Sequence, residues 1–178
     1  MFIPIILGTA REGAESNKVA DFVLAEADKF GFETKLIRVE DYTEGRTKRL
    51  IDGGKKAEIW AKIVEKSGGF IIVLPEYNYS FPGELKMFLD SLFKEYFGKC
   101  VGLCGLSSGG FGGVRAVEHL KPILVKFRMK IAGSSVYFSN VKELFGEEGG
   151  IADRSYEEKL KVLFEEMEKL CFLSQRKK

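Results

Sequence analysis

The sequence predicts an α/β domain: a doubly wound, five-stranded parallel sheet with helices on both faces. Three observations carry this. Strand-like and helix-like patterns alternate along the whole chain, without repeats or linkers. The strand-like runs are almost wholly apolar, as strands covered on both faces must be. Three of the strand-to-helix turns are long and rich in glycine, hydroxyl or aromatic residues, whereas ordinary connectors are short and merely polar. The 178 residues suit one domain spanning 1–178 with a sizeable core.

Taken in order, Phe2–Leu7 is an apolar run closed by Gly8. Val19, Phe22, Val23, Ala27 and Phe30 recur at helical spacing and stop at Gly31. Thr34–Val39 reads as the second strand, with imperfect alternation. Trp60, Ile63 and Val64 mark a helix ending near Gly68-Gly69, and Phe70–Leu74 is a fully buried strand. Pro82 opens the next helix, where a first turn tolerates proline, with Glu84 near its positive end. Its apolar stripe is Leu85, Phe88, Leu89, Leu92 and Phe93. Cys100–Leu106, Val114–Phe127 and Ile131–Phe138 continue as strand, helix, strand. A last helix over about 153–173 leaves 173–178 as a frayed tail. Five strands suit the flavodoxin-like order 2-1-3-4-5 better than the six-stranded dinucleotide order. In either, the loops after strands 1, 3 and 4 form the binding crevice.

Composition narrows the partners. A net charge of +2 gives no electrostatic case for nucleic acid. No stretch approaches the ~20 apolar residues of a membrane span, and the short apolar start lacks the charged leader of a signal peptide. A cytoplasmic protein is the expectation. Cys100 and Cys104 share one face of a strand with Cα atoms ~13 Å apart, too far for a disulfide. Together with Cys171 on the last helix they read as core residues.

Loop 1, Gly8-Thr9-Ala10-Arg11-Glu12-Gly13-Ala14-Glu15-Ser16-Asn17-Lys18, joins a strand to a helix N-terminus. Free amides, hydroxyls and a guanidinium there match a phosphate. The same residues also suit a Ser16 helix cap and a surface Arg11. Neither the Walker nor the Gly-x-Gly-x-x-Gly fingerprint is present. Loop 3, Pro75-Glu76-Tyr77-Asn78-Tyr79-Ser80-Phe81-Pro82-Gly83, crowds aromatic residues at the sheet mouth. They suit either the wall of a flat ring or the cover of a core or subunit interface. Loop 4, Ser107-Ser108-Gly109-Gly110-Phe111-Gly112-Gly113, has glycines that serve either close backbone approach to a ligand or turn geometry alone.

Together these loops resemble the NADPH-dependent FMN reductase family, which includes quinone, azo-dye and chromate reductases. Residues 75–83, continuing into Leu85-Lys86 and Leu89-Asp90, closely resemble the family's P-E-Y-N-x-[ST]-[FY]-P-G-x-L-K-x-x-L-D signature. Gly8-Thr9-Ala10-Arg11 matches its G-[ST]-x-R opening, and Ser107–Gly113 its second glycine loop. The resemblance covers roughly residues 1–138.

It implies FMN as cofactor and NADPH or NADH as cosubstrate. The phosphate would fall to Thr9, Arg11, Ser16 and Asn17. Pro75, Glu76, Tyr77 and Asn78 would meet the ribityl chain and ring edge, and Ser107, Ser108, Gly109 and Gly110 the ring's pyrimidine side. Where many members carry a further serine, this chain has Ala14 and Glu15. The flavin would take a hydride at N5 from a stacked nicotinamide and pass it to a small-molecule acceptor on the same face, so no catalytic side chain or metal is named. Homodimers or homotetramers are common in the family. Arg46, Lys48 and Arg49 could meet a 2′-phosphate or simply be solvated, and His119 reads as a helix-surface residue. Two readings of other classes stand beside this one: an electron carrier served by a partner protein, and an interaction domain without flavin.

Overall fold

The computed structural model describes residues 1–146 and 150–175. The chain runs β1 (Ile5–Leu7), α1 (Ser16–Phe30), β2 (Leu36–Arg38), α2 (Lys55–Lys66), β3 (Gly69–Pro75), α3 (Gly83–Leu89) and β4 (Cys100–Leu106). It continues through α4 (Val114–Lys126), β5 (Lys130–Phe138), the short α5 (Val141–Leu144) and α6 (Ser155–Gln175). The sheet is parallel throughout, in the order β2-β1-β3-β4-β5 expected from the sequence.

Side chains alternate across each strand, so the sheet has two cores. Ile5, Leu7, Ile71 and Val73 face α1 and α6, packing with Val23, Leu160 and Phe164. Ile6, Phe70, Ile72 and Leu74 face α2, α3 and α4 and pack with Trp60, Phe88 and Leu120. Trp60, fully buried, satisfies its indole N–H by donating to the Tyr96 hydroxyl at 2.8 Å.

Four features depart from the sequence expectation, each for an identifiable reason. Pro4 has no amide, so regular pairing of β1 begins at Ile5, while Phe2 makes only an isolated bridge to Glu33. β2 is shortened to Leu36–Arg38 because Val39 starts a 3₁₀ turn. α3 stops at Leu89, short of the predicted stripe. Ser91 turns its hydroxyl back onto the Phe88 carbonyl (2.6 Å), and its own carbonyl accepts the Leu50 amide (2.9 Å). Leu92 stays buried but Phe93 swings out. β5 carries a bulge, with Val101 opposite Ile131 but Leu103 opposite Ser135. At the C-terminus α6 continues through Gln175, and the basic residues 176–178 lie outside the described residues.

Candidate functional site

The carboxyl ends of β1, β3 and β4 bring loops 1, 3 and 4 together around a cavity of about 420 Å³. Arg11, Ser16, Pro75, Glu76, Tyr77, Ser107 and Ser108 line it, joined by Gly13, Ala14, Glu15, Leu106, Val141 and Lys142. Seven of the twelve residues expected at the site therefore face one space.

Loop 1 supplies donors. Among the described residues the amides of Glu12, Gly13, Glu15 and Ser16 have no protein acceptor, and they lead into the N-terminus of the 15-residue α1. Ser16 is 1% exposed and its Oγ has no hydrogen-bond partner. Buried hydroxyls are almost always paired, so an orphan at the head of such an amide row marks a place for an acceptor. Arg11 is exposed on the rim and makes no ion pair among the described residues. Glu15 is drawn toward Lys18, 3.0 Å away.

Thr9 and Asn17 sit behind this surface. Thr9 is 2% exposed and its hydroxyl donates to Glu84 at 2.9 Å. A carboxylate only accepts, so the Tyr77 hydroxyl (3.0 Å) and the Arg11 amide (3.2 Å) donate to Thr9 in turn. Its one proton and two lone pairs are all committed. Glu84 also accepts the Ala10 amide at 3.0 Å. Burial pushes the Glu84 carboxyl up, but the hydrogen bonds from Ala10 and Thr9 prevail and hold it below its ordinary 4.5. Asn17 donates to the Ala14 carbonyl at 2.9 Å and accepts from Arg38 at 2.6 Å, which braces the loop against β2.

Loop 3 is a tight turn. Tyr77 and Ser80 exchange both backbone bonds (2.8 and 3.0 Å), while Asn78 and Tyr79 between them take positive φ of 48° and 69°. That is the backbone of a type I′ turn, which Asn tolerates and Tyr adopts under strain. The turn sends Asn78 away from the cavity lining and leaves Tyr79 66% exposed. The Tyr79 ring stacks on the Arg115 guanidinium, 3.9 Å from its centroid, and Phe111 of loop 4 approaches the same group at 5.2 Å. Arg115 Nε donates to Glu76 Oε1 at 2.7 Å. Glu76 Oε2 remains buried without a partner.

The glycines of loop 4 fall into two pairs. Gly109 and Gly110 have ordinary φ, and a Cβ on either would meet nothing within 4 Å. The steric demand falls on Gly112 and Gly113, at φ 57° and 80°. A Cβ on Gly113 would lie 2.6 Å from the Leu106 nitrogen. The amides of Ser108, Gly109 and Gly110 have no protein acceptor among the described residues, so backbone donors are present there beside open space. Ser107 turns its hydroxyl onto the Gly109 carbonyl at 2.9 Å.

Three residues at the site were not anticipated. Arg115 stands in the first turn of α4, just after the loop that holds Phe111, a closeness in sequence that offered a signal for the contact between them. Val141 and Lys142 come from the segment after β5, whose return over the crevice leaves no local pattern. Elsewhere, Lys48 pairs with Glu44 (3.0 Å) and Arg49 with Asp52 (2.7 Å), and His119 lies exposed, 3.4 Å from Ser80 Oγ.

The strand order and the crevice at the strand ends define a flavodoxin-like α/β protein with its cavity against a helix N-terminus. Within that class, the chain belongs to the NADPH-dependent FMN reductase family, whose profile matches residues 1–143. It is 27% identical over 110 residues to the NAD(P)H-dependent FMN reductase of Saccharomyces cerevisiae, covering 62% of this chain and 51% of that protein. It is 42% identical over 72 residues to a quinone reductase of Escherichia coli K12, covering 38% of each. The chain thus spans about half or less of the length of these relatives. Its backbone resembles that of the flavoenzyme NAD(P)H:acceptor oxidoreductase of Paracoccus denitrificans, with a TM-score of 0.78 at 20% identity over 98% of this chain and 97% of that one.

Proposed function

We propose that the cavity binds FMN and that the chain is an oxidoreductase passing a hydride from NADPH or NADH to a small-molecule acceptor: a quinone, free flavin, azo compound or metal ion. The observation that carries this is the orphaned Ser16 hydroxyl beside four uncommitted amides. Ser16, those amides and Arg11 would hold the phosphate, and the second oxygen of Glu76 would accept a hydroxyl of the ribityl chain. Arg115 fixes the Glu76 carboxylate in place by occupying its other oxygen. The amides of Ser108, Gly109 and Gly110 would favour negative charge on the ring edge that meets them. Bound FMN would supply the two-electron exchange, so no acid, base or metal of the chain is assigned a step.

The exposed Tyr79 and Phe111, 66% and 68% accessible and both near the Arg115 guanidinium, would form a contact between copies in a homodimer or homotetramer. A cytoplasmic location goes with this reading. No described helix is long and apolar enough to cross a membrane.

The test is FMN titration of the apoprotein, followed by NADPH and NADH oxidation with a quinone. Saturable binding with quinone-dependent turnover supports the proposal. Binding without nicotinamide oxidation replaces it with the electron-carrier reading, and absence of FMN binding overturns it.

A further inference from the structure

At the opposite end of the sheet, two thiols unused by the flavin reading meet. Cys100 opens β4 and Cys171 lies near the end of α6, 0% and 1% exposed. Gly102, on the same face of β4, lets α6 lie close, since a Cβ there would be only 3.2 Å from Leu163 Cδ1. Cys100 Sγ is 3.6 Å from Ser174 Oγ, one helical turn beyond Cys171. Cys171 Sγ stands 3.5 Å from the position of a Cβ on Gly68, whose carbonyl accepts the Cys100 amide at 3.3 Å. Each thiol stands near enough to the other to bear on its protonation. Cys171 and Ser174 line a cavity of about 680 Å³ beside Lys99 and Lys130, and Lys130 Nζ reaches Ser174 Oγ at 2.7 Å.

We propose that Cys100 and Cys171 form a peroxide-responsive dithiol that closes to an intrachain disulfide, tying α6 to β4. The Cys100 thiolate attacks one peroxide oxygen. An S–O bond forms, the O–O bond breaks, and hydroxide leaves to take up the released proton as water. The Cys171 sulfur then attacks the resulting sulfenic acid: S–S forms, S–O breaks, and the second water departs with the Cys171 proton. Two thiols lose two electrons and one hydrogen peroxide becomes two waters.

The surroundings favour Cys100 as the attacking thiolate. The neighbouring Cys171 thiol draws Cys100 below its ordinary range against the pull of burial, helped by Ser174 and by the charges of Lys130 and Lys99. Glu65, Lys66 and the Met1 amino group are the other ionisable groups on residues lining the cavity. Cys104, in the core with no such partner, is pushed up by burial and serves as an internal control.

The experiment exposes the full-length protein to hydrogen peroxide, alkylates the remaining thiols and maps the peptides. Expected are a fall from three titratable thiols to one, a loss of two hydrogen masses, and a Cys100–Cys171 linked peptide that dithiothreitol separates. In Cys171→Ser the Cys100 sulfenic acid should persist and be trapped by dimedone. The wild-type map decides the matter even where that variant folds poorly. Three unreacted thiols, oxygen adducts with no linked peptide, or a link between two chains would each overturn the proposal.

Discussion

Thr9 gives its only hydroxyl proton to Glu84, 2.9 Å away, so Glu84 rather than any ligand sets the orientation of Thr9. The same carboxylate takes the Ala10 amide, and through Thr9 it also holds Tyr77 and the Arg11 amide. One residue of α3 thereby fixes loop 1 and loop 3 together. Thr9, placed by resemblance among the phosphate ligands, supports the amides that follow it.

Glu84→Ala should therefore loosen the site without touching the cavity lining. Two hydrogen bonds to a charged acceptor are lost, at about 1.5–3 kcal/mol each when well shielded and less at a partly exposed carboxylate, so a cost of about 1–2 kcal/mol is expected. The pH dependence has a definite sign. Because the folded carboxyl is held below 4.5, the unfolded chain takes up this proton first on acidification. The stabilisation is complete above the unfolded value and disappears as pH falls through the folded one. Thermal midpoints between pH 3 and 6 should converge for wild type and Glu84→Gln at the acid end. Parallel curves would assign the acid sensitivity to other groups.

Arg115→Ala should leave the Glu76 side chain, 8% exposed, with neither oxygen paired. An uncompensated buried carboxylate is costly, so this variant should lose about 2–3 kcal/mol of stability. Lysine should rescue poorly, because the planar guanidinium bonds Glu76 and lies against the Tyr79 ring at once. Chemical denaturation of wild type, Arg115→Ala and Arg115→Ala/Glu76→Gln measures this. An equal loss in both variants would show that the packing of Arg115, and not its charge, is what matters.

The sheet was legible because its signal is local. Runs such as Phe70–Leu74 and Cys100–Leu106 are apolar at every position, which only a strand covered on both faces requires. Loop membership of the site was legible for the same reason: glycine, hydroxyl and aromatic residues interrupt those runs where a sheet opens. Interactions between distant segments left no such mark. The end of α3 depends on Leu50, forty residues upstream, and the β5 bulge on pairing with Val101 and Leu103. Four glycines in one loop announce a backbone constraint without saying which positions bear it. Only the passage of Leu106 and Tyr137 against the loop puts it on Gly112 and Gly113.

That distinction is measurable. Gly113→Ala forces a side chain onto the Leu106 backbone at a positive φ and should cost well over about 2 kcal/mol in the apoprotein. Gly109→Ala meets open space and should stay within about 1 kcal/mol of wild type. Apoprotein melting curves of the two variants test this. Equal losses would mean that loop 4 adopts another conformation in solution.

Ser16→Ala separates a ligand-directed hydroxyl from a structural one. If Ser16 served the helix, its Oγ would bond a backbone amide of the first turn, and truncation would cost about 1 kcal/mol of stability. In the structure Glu15 holds the cap position, without a side-chain bond, and the Ser16 hydroxyl is buried and unpaired. Removing an unsatisfied buried hydroxyl relieves a desolvation penalty, so the alanine apoprotein should be as stable as wild type or slightly more so. FMN affinity should move the other way. Losing one hydrogen bond to a charged phosphate, about 1.5–3 kcal/mol, should raise the dissociation constant roughly tenfold to a hundredfold. Glu84→Ala, by contrast, should lower both stability and affinity, because it acts through the shape of the loop. A Ser16→Ala protein that melts lower yet binds FMN normally would make Ser16 part of the scaffold and leave the phosphate to the amides and Arg11.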